Sequence, residues 1–235
     1  MGSPGHGPGR GRAVGTPRRP PGRVPLVGLV GPIGCGKSAV AARLAEHGAV
    51  VIDADLVTRE LMAPGHPLTD TIVAQFGPEF AGADGSLDRG ALGRLVFSRP
   101  DRLAELEALV HPFVRERILH LIEEAGRAHP AVVVLEAIKL IEAGYGPMCD
   151  EVWLVTCEPP AQLARLLARG LTGAEARQRI AAQVGQAGPW QEAASRVIRT
   201  DGSIENTRLA VDEALGELTG PNRRINRRRH PAGRK

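Results

Sequence analysis

Residues 31–38 of this chain read Gly31-Pro32-Ile33-Gly34-Cys35-Gly36-Lys37-Ser38. This is the G-x-x-x-x-G-K-S pattern of a phosphate-binding loop, which requires a strand before it and a helix after it. An apolar run of strand type, 26–30, precedes the motif, and an alanine-rich run with helical periodicity, 39–45, follows it. These flanks predict a strand–loop–helix unit that binds a nucleoside triphosphate.

The chemistry of such a loop lies largely in its backbone. Glycines allow successive N–H groups to turn towards phosphate oxygens, and the N-terminus of the following helix adds partial positive charge. The ammonium of Lys37 is expected to reach the outer phosphates, and the Ser38 hydroxyl is placed to bind Mg²⁺. The residues expected to contact nucleotide are Gly31, Pro32, Ile33, Gly34, Cys35, Gly36, Lys37, Ser38 and Ala39.

Strand and helix patterns alternate along the chain, which is typical of a parallel sheet covered by helices. The fold class predicted is therefore α/β, a three-layer P-loop NTPase fold with a helical subdomain and a mobile lid. The predicted strands are 26–30, 49–52, 131–135, 151–156 and 196–198. The predicted helices are 37–47, 55–62, 68–76, two or three within 88–128 with breaks at 98–100 and 111–112, 160–169, 173–184 and 204–218.

Three acidic residues stand where predicted strands end. Asp53 and Asp55 follow the second strand, and Glu136 follows the third. Ligands of open α/β sheets bind at the carboxyl ends of the strands, so these carboxylates are candidates for a metal shell or for accepting a proton. For either aspartate the alternative is a structural role, since Asp53 can cap the next helix.

Charge divides the chain into a core and two tails. Residues 1–24 carry five arginines and no acid, and residues 221–235 carry six arginines and Lys235 with no acid. The remaining residues, 25–220, carry 18 basic and 26 acidic side chains. We predict disordered tails, since their Gly/Pro/Arg-rich composition buries little surface. The acidic core argues against a specific nucleic-acid partner, and the chain has no apolar span that predicts a membrane segment.

Cys35, Cys149 and Cys157 are the three cysteines, an odd number without C-x-x-C spacing. This pattern favours a reducing cytoplasm with no disulfide framework and no zinc site. Cys35 lies inside the phosphate loop, where helix-end amides lower a thiol pKa. Two interpretations of Cys35 stay open: an oxidisable thiol, or a small side chain that fills a loop position.

Four segments together resemble the dephospho-coenzyme A kinase family, nucleoside-monophosphate-kinase-like P-loop enzymes. They are G-P-I-G-C-G-K-S at 31–38, V-I-D-A-D-L-V-T-R-E at 51–60, L-V-F-S-R-P with L-E-A-L-V-H-P-F-V-R at 95–115, and V-V-V-L-E-A-I-K-L-I-E-A-G at 132–144. The resemblance covers about 25–220. The D-A-D and H-P pairs make it more specific than the loop alone.

The resemblance implies transfer of the ATP γ-phosphate to the ribose 3′-hydroxyl of dephospho-coenzyme A, with Mg²⁺, in a cytoplasmic monomer. It implies an acceptor-binding insertion at about 60–128 and a lid at about 160–190. The catalytic residues would be Asp55, as base or orienting group, Lys37 and Arg169. Arg165 would join the ATP site, and the acceptor would contact Asp53, Arg59, His111 and Glu136.

The chain also departs from the family pattern. After the third strand it reads Ile138-Lys139-Leu140-Ile141-Glu142, where the family usually has proline and leucines, and its lid has the shortened Arg169-Gly170. Lys139 keeps open a related P-loop kinase that phosphorylates another small hydroxyl acceptor. A third hypothesis is a non-catalytic nucleotide-binding protein whose tails contact RNA.

Overall fold

The computed structural model describes residues 23–220. A five-stranded parallel sheet runs through its centre, in the order β2-β3-β1-β4-β5. The strands are β1 (Leu26–Val30), β2 (Val50–Asp53), β3 (Val133–Glu136), β4 (Glu151–Thr156) and β5 (Arg196–Arg199). The α/β class predicted from the sequence is confirmed. The tails predicted at 1–24 and 221–235 lie outside the described residues, apart from residues 23 and 24.

Nine α-helices accompany the strands in this part of the chain. They are α1 (Lys37–Glu46), α2 (Ala54–Leu61), α3 (Pro67–Phe76), α4 (Arg89–Ser98), α5 (Pro100–Arg127), α6 (Pro159–Ala168), α7 (Gly173–Ala181), α8 (Ala187–Ala193) and α9 (Ile204–Thr219). None of these helices combines the length and hydrophobicity that crossing a bilayer requires.

Each face of the sheet is covered by its own helices. One core joins apolar strand residues such as Leu26 and Leu135 to α2, α5 and the buried Trp190 of α8. The other joins strand residues such as Val27 and Trp153 to α1 and α9. Because both faces are buried, the three central strands, β1, β3 and β4, are nearly continuous apolar runs rather than alternating ones.

A third hydrophobic core lies away from the sheet, between α3, α4 and the N-terminal half of α5. Its buried residues are Leu68, Ile72, Phe76, Phe80, Leu87, Leu92, Val96 and Val110. The C-terminal half of α5 contributes Ile118, Ile122 and Ala125 to a sheet core instead. The single helix α5 therefore contributes residues both to the third core and to one of the sheet cores.

Two sequence predictions about helices are wrong. The break expected at 111–112 is absent, because α5 continues through Pro112. Proline removes one backbone hydrogen bond there, but the buried residues on both sides of it, Val110 and Ile118, keep the helix packed. The second error is an omission: no helix is predicted between 184 and 196, where the structure forms α8 with Pro189 in its first turn, a position that tolerates proline.

Candidate active site

The phosphate loop connects β1 to α1 at the carboxyl edge of the sheet. Gly31 begins it with φ of 146°, and a Cβ atom there would lie 2.2 Å from the Val155 carbonyl oxygen. Gly36 caps α1 in the left-handed region with φ of 86°. These glycines let the loop pass close to β4 and turn into the helix, which is the geometry that presents backbone N–H groups to phosphate.

Lys37 lies at the start of α1, and its ammonium donates a hydrogen bond to the Gly31 carbonyl at 2.9 Å. Burial lowers the pKa of this ammonium, and the positive charge of Arg169 lowers it further. The negative charges of Glu136, Asp55 and Asp53 act in the opposite direction. The structure therefore brings Lys37 within electrostatic range of four of the charged residues predicted for the site.

Glu136 and Asp53 are register partners on adjacent strands, β3 and β2. Burial raises the pKa of the Glu136 carboxyl, and the charges of Asp53 and Asp55 add to that effect, whereas Lys37 opposes it. The sheet thus places an acidic edge beside the ammonium of the phosphate loop. This is the cluster expected at the carboxyl ends of β2 and β3.

Asp53 and Asp55 occupy different positions on α2. The Asp53 carboxylate caps the helix, accepting from the N–H groups of Asp55 at 2.8 Å and Leu56 at 3.1 Å. The structural role considered for Asp53 is therefore present. Asp55 lies exposed in the first turn and Arg59 exposed one turn later, so both side chains are accessible to an acceptor.

His111 does not lie in a turn between two helices, as its His-Pro sequence suggested. It is exposed in the middle of α5.

Arg165 on α6 binds Thr200 and lies beside the phosphate loop. Its guanidinium donates to the Thr200 hydroxyl at 2.9 Å and to the Thr200 carbonyl. The Gly34 carbonyl lies 3.5 Å from the same guanidinium. The Thr200 hydroxyl donates in turn to the Cys35 carbonyl at 2.8 Å. Arg165 and buried Thr200 thus hold the loop through its carbonyl groups.

Cys35 and Cys157 form a disulfide, with Cα atoms 5.2 Å apart. The expectation of no disulfide framework is therefore wrong. No local pattern indicates this bond, because the two residues are 122 positions apart and meet where the phosphate loop passes the end of β4. The bond joins the loop directly to the segment that begins α6.

Several residues around the site were not identified from sequence. Arg89 donates to the carbonyls of Arg59, at 2.7 Å, and Met62, at 3.2 Å, and so caps the end of α2. Gln162 and Gln183 hydrogen-bond the backbone of Ile33. Their partners are distant in sequence, so periodicity and local motifs contain no trace of these contacts.

A parallel 2-3-1-4-5 sheet, a phosphate loop after its central strand and acidic residues at the neighbouring strand ends define a P-loop kinase. The sequence profile of the family described as "CoaE: Dephospho-CoA kinase" matches residues 25–206. The chain belongs to the dephospho-CoA kinase family.

Similar proteins agree with this assignment. The chain is 46% identical to a dephospho-CoA kinase of Symbiobacterium thermophilum over 196 residues, which cover 83% of this chain and 82% of the relative. It is 46% identical to a dephospho-CoA kinase of Moorella thermoacetica over 195 residues, 82% of this chain and 92% of the relative.

Solved structures share the fold. TT1252 from Thermus thermophilus superposes with a TM-score of 0.71 at 37% identity, covering 84% of this chain and all of that one. The dephospho-CoA kinase of Campylobacter jejuni gives a TM-score of 0.63 at 22% identity, over 83% of this chain and 96% of that one.

Proposed function

We propose that this protein transfers the γ-phosphate of ATP to the ribose 3′-hydroxyl of dephospho-coenzyme A, which yields ADP and coenzyme A. The observation that supports the proposal best is the cluster of Lys37, Glu136 and Asp55 at the carboxyl edge of the sheet. It combines a cation for the transferring phosphate with carboxylates for the acceptor hydroxyl. Phosphoryl transfer requires positioning and charge stabilisation of this kind.

On the nucleotide side, residues Gly31 to Ala39 would surround the triphosphate. Lys37 would exchange its Gly31 contact for phosphate oxygens, and Arg169, exposed at the end of α6, would supply a second cation. A guanidinium binds phosphate oxygens in a bidentate manner and stays protonated. Arg165 would contribute by holding the loop and Thr200 rather than by contacting phosphate.

On the acceptor side, Asp55 would accept the proton of the 3′-hydroxyl. As that oxygen bonds to the γ-phosphorus, the bond between phosphorus and the oxygen of the ADP leaving group breaks, and the proton passes to the carboxylate. Arg59 would bind the anionic diphosphate of the acceptor. Asp53 would keep α2 in place, since its carboxylate already caps the helix.

The acceptor side also includes Glu136, His111 and the helical region around them. Glu136 lies beside Lys37 and would orient the ammonium and the acceptor. His111, which is exposed on α5, would also contact the acceptor. We assign acceptor binding to about 60–128, which contains the third hydrophobic core, and the lid to about 160–190.

Mg²⁺ fits the site as a partner of the bound triphosphate. Residues 23–220 contain no group of three or more His, Cys, Asp or Glu side chains that would hold a metal ion by themselves. Magnesium in kinases is bound by few protein groups together with phosphate oxygens, and the exposed hydroxyl of Ser38 in the first turn of α1 would be such a group. When bound, the ion neutralises charge on the phosphates.

Two further assignments belong to the proposal. We place the reaction in the cytoplasm, where ATP is regenerated, and we expect a monomer. Gel filtration with light scattering tests the second assignment.

The test is ADP release with MgATP, with and without dephospho-coenzyme A, followed by identification of the product by mass. Acceptor-dependent ADP release with a mass gain of one phosphate supports the reaction. ATP binding without acceptor dependence would instead favour another hydroxyl acceptor. Salt-dependent RNA binding that disappears when 1–24 and 221–235 are removed would favour the non-catalytic alternative.

A further inference from the structure

Both backbone groups of Ile33, the third residue of the phosphate loop, are bound by glutamine side chains. The Ile33 N–H donates to the side-chain carbonyl of Gln183 at 2.7 Å. The Ile33 carbonyl accepts from the side-chain amide of Gln162 at 2.8 Å. Residues further along the chain thus clamp the loop at one position.

The two glutamines differ in their surroundings. Gln162 lies on α6 and is 7% exposed, so its bond is a buried anchor. Gln183 follows α7 and is only partly buried, 150 residues from its partner in sequence. A single neutral hydrogen bond that water can replace is a modest interaction. The contact of Gln183 is therefore one that forms and breaks more readily than that of Gln162.

The segment between these glutamines, residues 162–183, contains Arg169. We call it the arm. The charge of Arg169 lowers the pKa of Lys37, so the arm carries a guanidinium within electrostatic range of the loop lysine. The arm is attached to the loop at both ends, and the Gln183 end is the weaker attachment.

We propose that Gln183 is a positioning residue for phosphoryl transfer: its bond to Ile33 holds the arm, with Arg169, against the phosphate loop during the reaction. This inference rests on the proposed kinase function and extends it. In this role Gln183 acts through the arm and the loop, by way of its bond to Ile33. The bond joins two neutral groups, so it closes the arm independently of the charge state of the site.

A closed arm keeps water from the γ-phosphate. When the arm is loose, water attacks the γ-phosphorus, the bond to the ADP oxygen breaks, and ADP, phosphate and a proton are released without any acceptor product. Loss of the Gln183 bond is therefore expected to change the partition between transfer and hydrolysis. A purely structural residue would alter stability without altering that partition.

The test is Gln183→Met, which keeps the length of the side chain and removes the carbonyl. Gln178→Met is the matched control, since Gln178 is an exposed glutamine of α7. We expect kcat for transfer to fall at least about tenfold in Gln183→Met, because small misplacements of positioning groups cost up to about a hundredfold. Phosphate released per acceptor phosphorylated should rise several-fold, and the control should match wild type in both.

Hydrogen exchange gives a readout that does not depend on the acceptor. The peptide containing Ile33 should exchange faster in Gln183→Met than in wild type and in Gln178→Met. Unchanged exchange, or a lower kcat with an unchanged hydrolysis ratio, would overturn the role of Gln183. If wild type phosphorylates no dephospho-coenzyme A, the acceptor assignment alone fails. The exchange rate of the Ile33 peptide and the rate of ATP hydrolysis without acceptor then still test the role of Gln183.

Discussion

Lys139 is ion-paired with Glu107, and the pair joins the segment after β3 to α5. Both side chains are partly exposed, at 52% and 34%. This pairing accounts for the lysine that departs from the family pattern, because its charge already has a protein partner. Lys139 is therefore not required to recognise a different anionic acceptor.

Replacement of Lys139 by methionine should accordingly have small effects. We expect KM for dephospho-coenzyme A to stay within about twofold, and the free energy of unfolding to fall by less than about 1 kcal/mol, as for other exposed ion pairs. Steady-state kinetics and urea denaturation measure the two quantities, with Glu107→Gln as the reciprocal variant. A tenfold rise in KM for Lys139→Met alone would instead place Lys139 on the acceptor.

Asp55→Asn should abolish most of the turnover and leave ATP binding nearly intact. The carboxylate is needed to accept a proton, and general-base catalysis contributes about 10²–10⁴-fold. Initial rates and calorimetric titration with ATP check the two halves of the prediction. Asp70→Asn, which removes an exposed carboxylate of α3, is the control and should behave as wild type. A variant that keeps most of its activity would disprove the base assignment.

The disulfide predicts a redox-dependent stability. Cys157→Ser should lower the free energy of unfolding of the oxidised protein by roughly 5 kcal/mol, the value that chain entropy gives for a loop of about 100 residues; the separation here is 122. Denaturant titration with and without dithiothreitol measures it. The reductant should lower the stability of wild type to that of the variant and leave the variant unchanged. Wild type that ignores the reductant would show that the bond is absent in solution.

Asp212 predicts a component of acid unfolding. Its carboxylate accepts from Arg43 at 2.6 and 2.7 Å and contacts His47 at 2.8 Å, which joins α9 to α1. The hydrogen bond from Arg43, with a smaller contribution from His47, lowers the pKa of Asp212 to about 2, against 3.8 when unperturbed. Because the folded-state pKa is the lower one, the stabilisation is present above pH 3.8 and is lost as pH falls towards 2.

Asp212→Asn should therefore be less stable than wild type at pH 6, and the difference should narrow as pH falls below about 4. Melting temperatures between pH 6 and pH 3 test this. Glu213→Gln, an exposed neighbour on α9, should follow the wild-type curve. A difference in melting temperature that is constant over this range would contradict the assignment.

Sequence reasoning was most accurate where a local pattern determines the structure. The apolar runs predicted the strands to within two residues at each end, and the loop motif located the nucleotide side of the site. Proline was the main source of error. Pro112 lies inside α5 because packing on both sides of it outweighs the lost hydrogen bond, and Pro189 lies in the first turn of α8.

The contacts that sequence could not predict join distant segments. Ile33 meets Gln183 across 150 positions, and Cys35 meets Cys157 across 122. Neither glutamine nor cysteine identifies its partner by spacing, so such pairs emerge only after the sheet order brings the ends of β1 and β4 side by side.

The third hydrophobic core lies within the region assigned to the acceptor, and it adjoins a sheet core at the partly buried Leu61 and Val114. Substitutions among Leu68, Ile72 and Phe76 repack that core without touching the strands. The acceptor half can therefore be repacked while the packing of the strands that carry the nucleotide loop stays the same. The boundary between these two halves of the protein lies inside α5, between Val110 and Ile118.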